Sequence, residues 1–161
     1  MFPGKDGSKF SHRGHTLRRG RVSIPGHAYL VTTVTREREP LFADFDRARI
    51  VACALERPSA NLRCESLAWV VMPDHIHWLV RLDHAGTISG AVRSLKGRVA
   101  RLVNFAQDQE GCRVWQPGFH DHALRREEDL RATARYIIAN PLRAGLVDRI
   151  GDYPYWNAVW I

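Results

Sequence analysis

No run of about 18 apolar residues occurs in this sequence, which excludes a membrane-spanning helix. Cysteine is scarce: Cys53, Cys64 and Cys112 are the only three, and they share no metal-ligand spacing. An odd count with no secretory leader argues against a disulfide framework. It points to free thiols in a reducing compartment, each a small buried side chain rather than a ligand. Residues 1–20 carry charge but no hydrophobic stretch, so they do not form a secretory signal peptide. Internal repeats and low-complexity tracts are also missing. Acid is in short supply, with 17 Asp+Glu against 24 Lys+Arg, a net charge of +7. That balance suits a polyanion such as nucleic acid, although a basic soluble protein of another kind would show it too.

What is present fits one globular domain. The chain has 161 residues, 45% of them hydrophobic, enough for a single core. Residues 1–20, rich in Gly, Ser, His and Arg, read as a basic flexible arm. An ordered domain covers 21–150, and 151–161 form a C-terminal tail. Within the arm and at its border, Arg18, Arg19 and Arg21 are candidate phosphate contacts or simply solvated charges.

The ordered pattern begins at Gly26. Residues 29–34 alternate and are rich in β-branched types, which predicts a strand. A helix follows, capped by Asp44 or Asp46, with Ala48, Val51 and Leu55 as its inner stripe and Pro58 as its stop. Leu67 to Met72 is a continuous apolar run, the mark of a buried central strand. Pro73-Asp74 makes a turn, and His75 to Leu82 alternates strictly. Next, Ile88, Val92, Leu95, Val99, Leu102 and Val103 form one apolar helical stripe, with Arg93, Gly97, Arg101 and Asn104 pointing away. A short strand lies between Arg113 and Leu124. A last helix runs from about Glu127 to Ala139, its acidic first turn matching the helix dipole and Pro141 preventing continuation past Asn140. The order is strand, helix, strand, strand, helix, strand, then one extra helix. This predicts an α+β fold: a ferredoxin-like split βαβ sandwich, an antiparallel sheet with helices, and an extra C-terminal helix that carries Tyr136. Helices on one sheet face would leave the other face open for a site.

The segment His75-Ile76-His77-Trp78-Leu79-Val80-Arg81-Leu82 has the sharpest chemistry. Side chains alternate faces along a strand. Ile76, Trp78, Val80 and Leu82 form an apolar face, and His75 and His77 share the other, with side chains starting roughly 6–7 Å apart. Two imidazoles so placed can grip one metal ion, or they are ordinary surface histidines. Two ligands alone do not close a site. His84, just past the strand, is the nearest candidate for a third ligand; it also reads as a solvated turn residue.

On the last helix, Leu130, Ala134, Ile137 and Ile138 fall in one arc, the buried stripe. Tyr136 lies away from it and so has no packing role. Asn140 follows one turn later on the same side. Its amide oxygen can complete a metal site towards which the phenol points. Otherwise Tyr136 is an exposed tyrosine and Asn140 a simple helix end. A metal that neutralises a phosphodiester, with a tyrosine oxygen that attacks phosphorus, gives a covalent protein–DNA link. The bond energy is retained, so rejoining needs no nucleotide cofactor.

These segments resemble a known family. Val70-Val71-Met72-Pro73-Asp74-His75-Ile76-His77-Trp78-Leu79-Val80 resembles the HUH motif (His, bulky hydrophobic, His) of single-tyrosine transposases. Tyr136-Ile137-Ile138-Ala139-Asn140-Pro141-Leu142-Arg143-Ala144-Gly145-Leu146-Val147 resembles the family's tyrosine segment. Gly20-Arg21-Val22 through Thr32-Thr33, Leu95-Lys96 and Phe119-His120-Asp121-His122-Ala123-Leu124-Arg125 match as well. The similarity runs from about Arg18 to Val147 and is greatest to the REP-associated tyrosine transposases of bacterial chromosomes. It implies a ferredoxin-like core over 21–150, a Mg²⁺ or Mn²⁺ cofactor, and a 5′-phosphotyrosine intermediate with a free 3′-OH. It implies His75 and His77 as metal ligands and Tyr136 as nucleophile. Asn140 stands where relatives place a polar third ligand, often Gln. The implied substrate is single-stranded DNA folded into imperfect hairpins from repetitive extragenic palindromes. The implied setting is the bacterial cytoplasm, at the nucleoid. Monomers are favoured over the dimers of insertion-sequence relatives.

Other residues have two readings each. Arg93, Lys96, Arg98 and Arg101, with Arg125 and Arg126, are candidate phosphate contacts or a solvated face. His120 and His122 either approach the site or contact DNA, or serve their strand. Trp115, Trp156 and Trp160 can stack bases, with Trp115 partly in the core. The segment Tyr153-Pro154-Tyr155-Trp156 packs back on the domain or reaches DNA. Three rival functions remain: a non-catalytic nucleic-acid-binding module, a metal phosphodiesterase that uses water, and a host-adopted transposase that binds DNA without moving it.

Overall fold

The computed structural model describes residues 22–58, 62–124 and 126–160. Strand β1 is Ala28–Val34, helix α1 Phe45–Glu56, β2 Cys64–Val71, β3 His75–Leu82 and α2 Ile88–Ala106. Strand β4 is His120–Leu124, followed by α3 Glu127–Ile138, α4 Asn140–Arg143 and β5 Trp156–Ala158. All strand pairings are antiparallel, in the order β4-β1-β3-β2-β5. The first six elements thus form the expected split βαβ layout, with β5 as an added edge strand. The tail packs back on the domain: Asn157 donates to Glu56, and the Tyr153 hydroxyl donates to the Val71 carbonyl at 2.6 Å.

Local signals explain the helices. Asp44, not Asp46, caps α1: its side chain accepts from the Arg47 amide at 3.0 Å. Thr87 does the same for α2 through the Gly90 amide. The apolar stripe of α2 is buried except Leu102, which is 41% exposed. Pro141 lacks an N–H and its ring would collide with a carbonyl one turn back, so α3 ends at Ile138 and Asn140-Pro141 opens a separate short helix. Asn140 therefore does not share a continuous helix with Tyr136.

The sheet is covered on both faces, which corrects the expectation of an open face. Helices α1 and α2 cover one side, over Tyr29, Val31, Trp69, Val71, Ile76, Trp78, Val80 and Leu82. On the other side α3 sets Leu130, Ala134, Ile137 and Ile138 against Ala68, Val70, Met72 and Leu79. This double cover is why β2 is apolar without interruption from Leu67 to Val71. A bulge between Ser66 and Ala68 puts both Leu67 and Ala68 into the α3-side core. Cys53 and Cys112 are exposed, against the expectation of burial, and only Cys64 is partly buried. No helix among the described residues is long and apolar enough to cross a membrane.

Candidate active site

Strand alternation works as expected on β3. Ile76 and Trp78 go to the α1–α2 core, while His75 and His77 are half-buried on the opposite face with ring centroids 4.9 Å apart. Each imidazole is held by its Nδ1. His75 Nδ1 lies 2.6 Å from Asp74 Oδ1, and His77 Nδ1 lies 2.8 Å from Thr32 Oγ1 across the β1–β3 ladder. A carboxylate only accepts, so His75 donates from Nδ1 and its Nε2 lone pair is left for a ligand. Thr32 can accept from His77 in the same way.

Asp74 is itself clamped. Its Oδ2 accepts from Arg38 at 2.9 Å, and its carbonyl accepts from both the amide and the hydroxyl of Thr35. Arg38 sits in the left-handed region at φ 56, as does Glu37 at φ 54, a conformation that costs non-glycine residues energy. Partial burial works to raise the Asp74 carboxyl. The hydrogen bond and charge of His75, then those of Arg38, outweigh it and hold the group below its ordinary value. His77 is pushed down to about 4, chiefly by burial, then by the charges of His75 and Arg143. A neutral His77 is the form that binds metal.

Tyr136 is 59% exposed while its neighbour Ile137 is fully buried, as the helical pattern predicts. The Arg143 guanidinium lies over the Tyr136 ring, 4.1 Å from its centroid. The same guanidinium donates to the Tyr136 carbonyl and, at 2.8 Å, to Asn140 Oδ1. Asn140 Nδ2 is buried without a partner. The one oxygen by which Asn140 can ligate a metal is thus in use by Arg143.

Among the described residues no three His, Cys, Asp or Glu side chains are placed to hold a metal ion. His84 lies past the far end of β3, whose last residue is already about 16 Å from His77 at the rise of a strand, and does not serve as third ligand. His120 pairs with Thr32, which pairs with His77, so all three lie in one row on the same sheet face. Two strand spacings, about 10 Å, separate His120 from His77. His122 lies one row further along, and both β4 histidines are exposed. The donors that the structure brings together are two imidazoles. That set suits a divalent ion that also takes oxygen from phosphate or water, Mn²⁺ more readily than Mg²⁺.

The candidate DNA contacts divide. Arg93 and Arg101 are exposed on α2. Lys96 instead turns inward: its ammonium donates to the carbonyls of Gln116 at 2.7 Å and Gly118 at 2.8 Å, beside Trp115, which is buried. Those carbonyls belong to the segment leading into β4, so Lys96 pins that segment to α2. Arg98 caps the end of α1 through the Arg57 carbonyl. Arg18, Arg19, Arg21 and Arg125 lie outside the described residues.

Comparison with known proteins fits this arrangement. The family model described as "Transposase IS200 like" matches residues 23–140, which include β1 through Asn140. A REP-associated tyrosine transposase of Escherichia coli K12 is 32% identical over 140 residues, 84% of this chain and 78% of that one. This chain belongs to the REP-associated tyrosine transposase family. A Haemophilus influenzae protein assigned provisionally to the same family is 27% identical over 81% of this chain and 78% of its own. The solved structure of a REP-associated tyrosine transposase bound to a REP hairpin superposes with a TM-score of 0.66. It is 28% identical and the match covers 85% of this chain and 79% of that one. The transposase fold here is therefore shared with a DNA-bound relative.

Four residues of this site had no role in the sequence reading: Thr32, Arg38, Asp74 and Arg143. Asp74 stands next to His75, and Arg143 follows Tyr136 by two helical turns, so both had a local signal. Thr32 and Arg38 reach the site only through strand pairing and loop closure.

Proposed function

We propose that this transposase cuts and rejoins single-stranded DNA at hairpins formed by repetitive extragenic palindromes, through a 5′-phosphotyrosine bond to Tyr136. The observation that carries the reading is the pair of imidazoles on one strand face, each held through Nδ1, in a fold that presents an exposed tyrosine on α3. His75 and His77 would hold Mg²⁺ or Mn²⁺, with Asn140 as third ligand once its oxygen leaves Arg143. When bound, the ion supplies charge neutralisation at the scissile phosphate. The protein's own groups do the rest. Asp74 fixes the His75 tautomer and Thr32 orients the His77 ring, and α3 holds the Tyr136 backbone rigid by burying Ile137 and Ile138. The Tyr136 oxygen attacks phosphorus and the 3′-oxygen departs with a proton from solvent. Reversal by another 3′-OH rejoins DNA with no nucleotide cofactor, because the phosphodiester energy is kept.

Helix α3 packs on the sheet of its own chain, which supports a reading in which Tyr136 serves the histidines of the same protomer and a monomer acts alone. The test is incubation with a panel of palindromic DNA hairpins bearing single-stranded flanks, with Mn²⁺, followed by a denaturing gel and peptide mapping. The native protein should form a covalent adduct on the peptide containing Tyr136. Tyr136→Phe should bind hairpins within a few-fold of native and form none. Cleavage by Tyr136→Phe at the native rate would show hydrolysis by water instead. Hairpin binding without cleavage of any substrate would show a binding module.

A further inference from the structure

Arg143 is unusual among the exposed arginines. Its guanidinium is fixed at three points: over the Tyr136 ring, on the Tyr136 carbonyl and on Asn140 Oδ1. Arg38, Arg81 and Arg149 are paired with carboxylates, whereas the partners of Arg143 are a ring, a carbonyl and an amide oxygen, none of which cancels its charge. A guanidinium carries five N–H donors in a fork that matches phosphate oxygens. The two hydrogen bonds both leave from one terminal nitrogen, so Nε and the other terminal nitrogen retain donors. The Tyr136 carbonyl, near the open end of α3, needs an outside donor because the last carbonyls of a helix lack partners. Arg143 meets that need and is thereby held beside the phenol.

We infer that Arg143 binds a non-bridging oxygen of the scissile phosphate and holds the Tyr136 ring in line with it; this rests on the covalent-cleavage reading above. In that step the Tyr136 oxygen bonds to phosphorus and the P–O3′ bond breaks. The phenolic proton goes to solvent and the departing 3′-oxygen gains one, so charge balances and nothing is oxidised or reduced. Negative charge builds on the non-bridging oxygens at the transition state, where a fixed cation acts most strongly. Because both hydrogen bonds leave from one terminal nitrogen, Arg143 can grip the phosphate while it stays on Asn140 Oδ1 and the Tyr136 carbonyl.

The test is a methylphosphonate scan. Each phosphate in the single-stranded flank of a hairpin is replaced in turn by a neutral methylphosphonate. Affinity of native protein and of Arg143→Ala is then measured in EDTA, and adduct formation in Mn²⁺. Arg143 is exposed, so Arg143→Ala should fold, and circular dichroism checks this. Native protein should lose affinity at one position to which Arg143→Ala is indifferent, and that position should be the one joined to Tyr136. On unmodified DNA the adduct rate of Arg143→Ala should fall about 100–1000-fold. Arg143→Lys should recover only part of the loss, because a point charge lacks the fork. Guanidinium ion added to Arg143→Ala should restore part of the rate, which a purely structural role would not allow. Retention by Arg143→Ala of every methylphosphonate sensitivity would overturn the phosphate contact. Loss at a position other than the cleaved one would overturn its assignment to the scissile group. If native protein forms no adduct on any hairpin, the cleavage reading fails, while the scan in EDTA still decides whether Arg143 contacts phosphate.

Discussion

Asp74 Oδ1 lies 2.6 Å from His75 Nδ1, while Asp74 Oδ2 takes a hydrogen bond from Arg38. The two residues are neighbours in the chain, yet the carboxylate is aimed by a residue 36 positions away. The carboxylate sets which nitrogen of His75 carries the proton.

Removing that carboxylate should therefore weaken the metal site without unfolding the turn. The Asp74 carbonyl keeps its bonds to Thr35 whatever the side chain. Asp74→Ala should lower Mn²⁺ affinity about 10–100-fold, the usual effect of losing a group that orients a ligand. Calorimetric titration with Mn²⁺ measures it, and an unchanged affinity would show that Asp74 serves only the turn.

Replacing the ligands themselves should be more severe. His75→Ala and His77→Ala should each abolish adduct formation, and EDTA should abolish it in the native protein. Folding should survive, because neither ring lies in a core cluster. Mn²⁺ should support faster cleavage than Mg²⁺, given two nitrogen donors. Adduct formation by the double mutant, or in EDTA, would remove the metal from the reading.

The basic residues of α2 should separate by role. Arg93→Ala and Arg101→Ala should each reduce the slope of log affinity against log salt, by about 0.7 per single-strand contact. Lys96→Met should leave that slope unchanged and cost stability instead, about 2–3 kcal/mol for lost charge-assisted hydrogen bonds. Denaturant melts and binding at several salt concentrations distinguish the two. A reduced slope for Lys96→Met would place its ammonium on DNA after all.

Alkaline pH should reveal the clamp made by the tail. Burial, then the charge of Tyr155, pushes the Tyr153 hydroxyl up from 10.0 to about 12, and that hydroxyl donates to Val71. The folded value is raised, so the stability it contributes is complete below pH 10 and is lost as pH climbs towards 12. Tyr155 is also raised, by burial and by Asp44 and Asp46, so phenolate absorbance should show two late-titrating tyrosines, and Tyr153→Phe should remove one of them. That variant should lose about 0.5–1.5 kcal/mol at neutral pH.

Thiol chemistry gives an independent check on the fold. Burial, then Asp83, pushes the Cys64 thiol up to about 11, whereas Cys53 and Cys112 are exposed. A thiol reagent at mildly alkaline pH should modify two cysteines quickly and the third only on unfolding. Three equal rates would mean that the start of β2 is open.

The sequence by itself determined whatever depends on one element's period. Alternation along 75–82 necessarily sends Ile76 and Trp78 one way and His75 and His77 the other. The 3.6-residue period of α3 buries Ile137 and exposes Tyr136. The apolar run 67–72 marked a buried strand, but that both sheet faces are covered was decided by the packing of α3. Tertiary structure decided everything that depends on a partner far along the chain. Thr32 meets His77 because β1 and β3 pair in one register and no other, 45 residues apart. Lys96 turns inward because the segment before β4 presents two carbonyls with no strand partner to take them. Arg143 reaches Tyr136 because Pro141 breaks the helix between them and folds the next turn back. Periodicity assigns a side chain to a face; only the closed fold supplies what waits there.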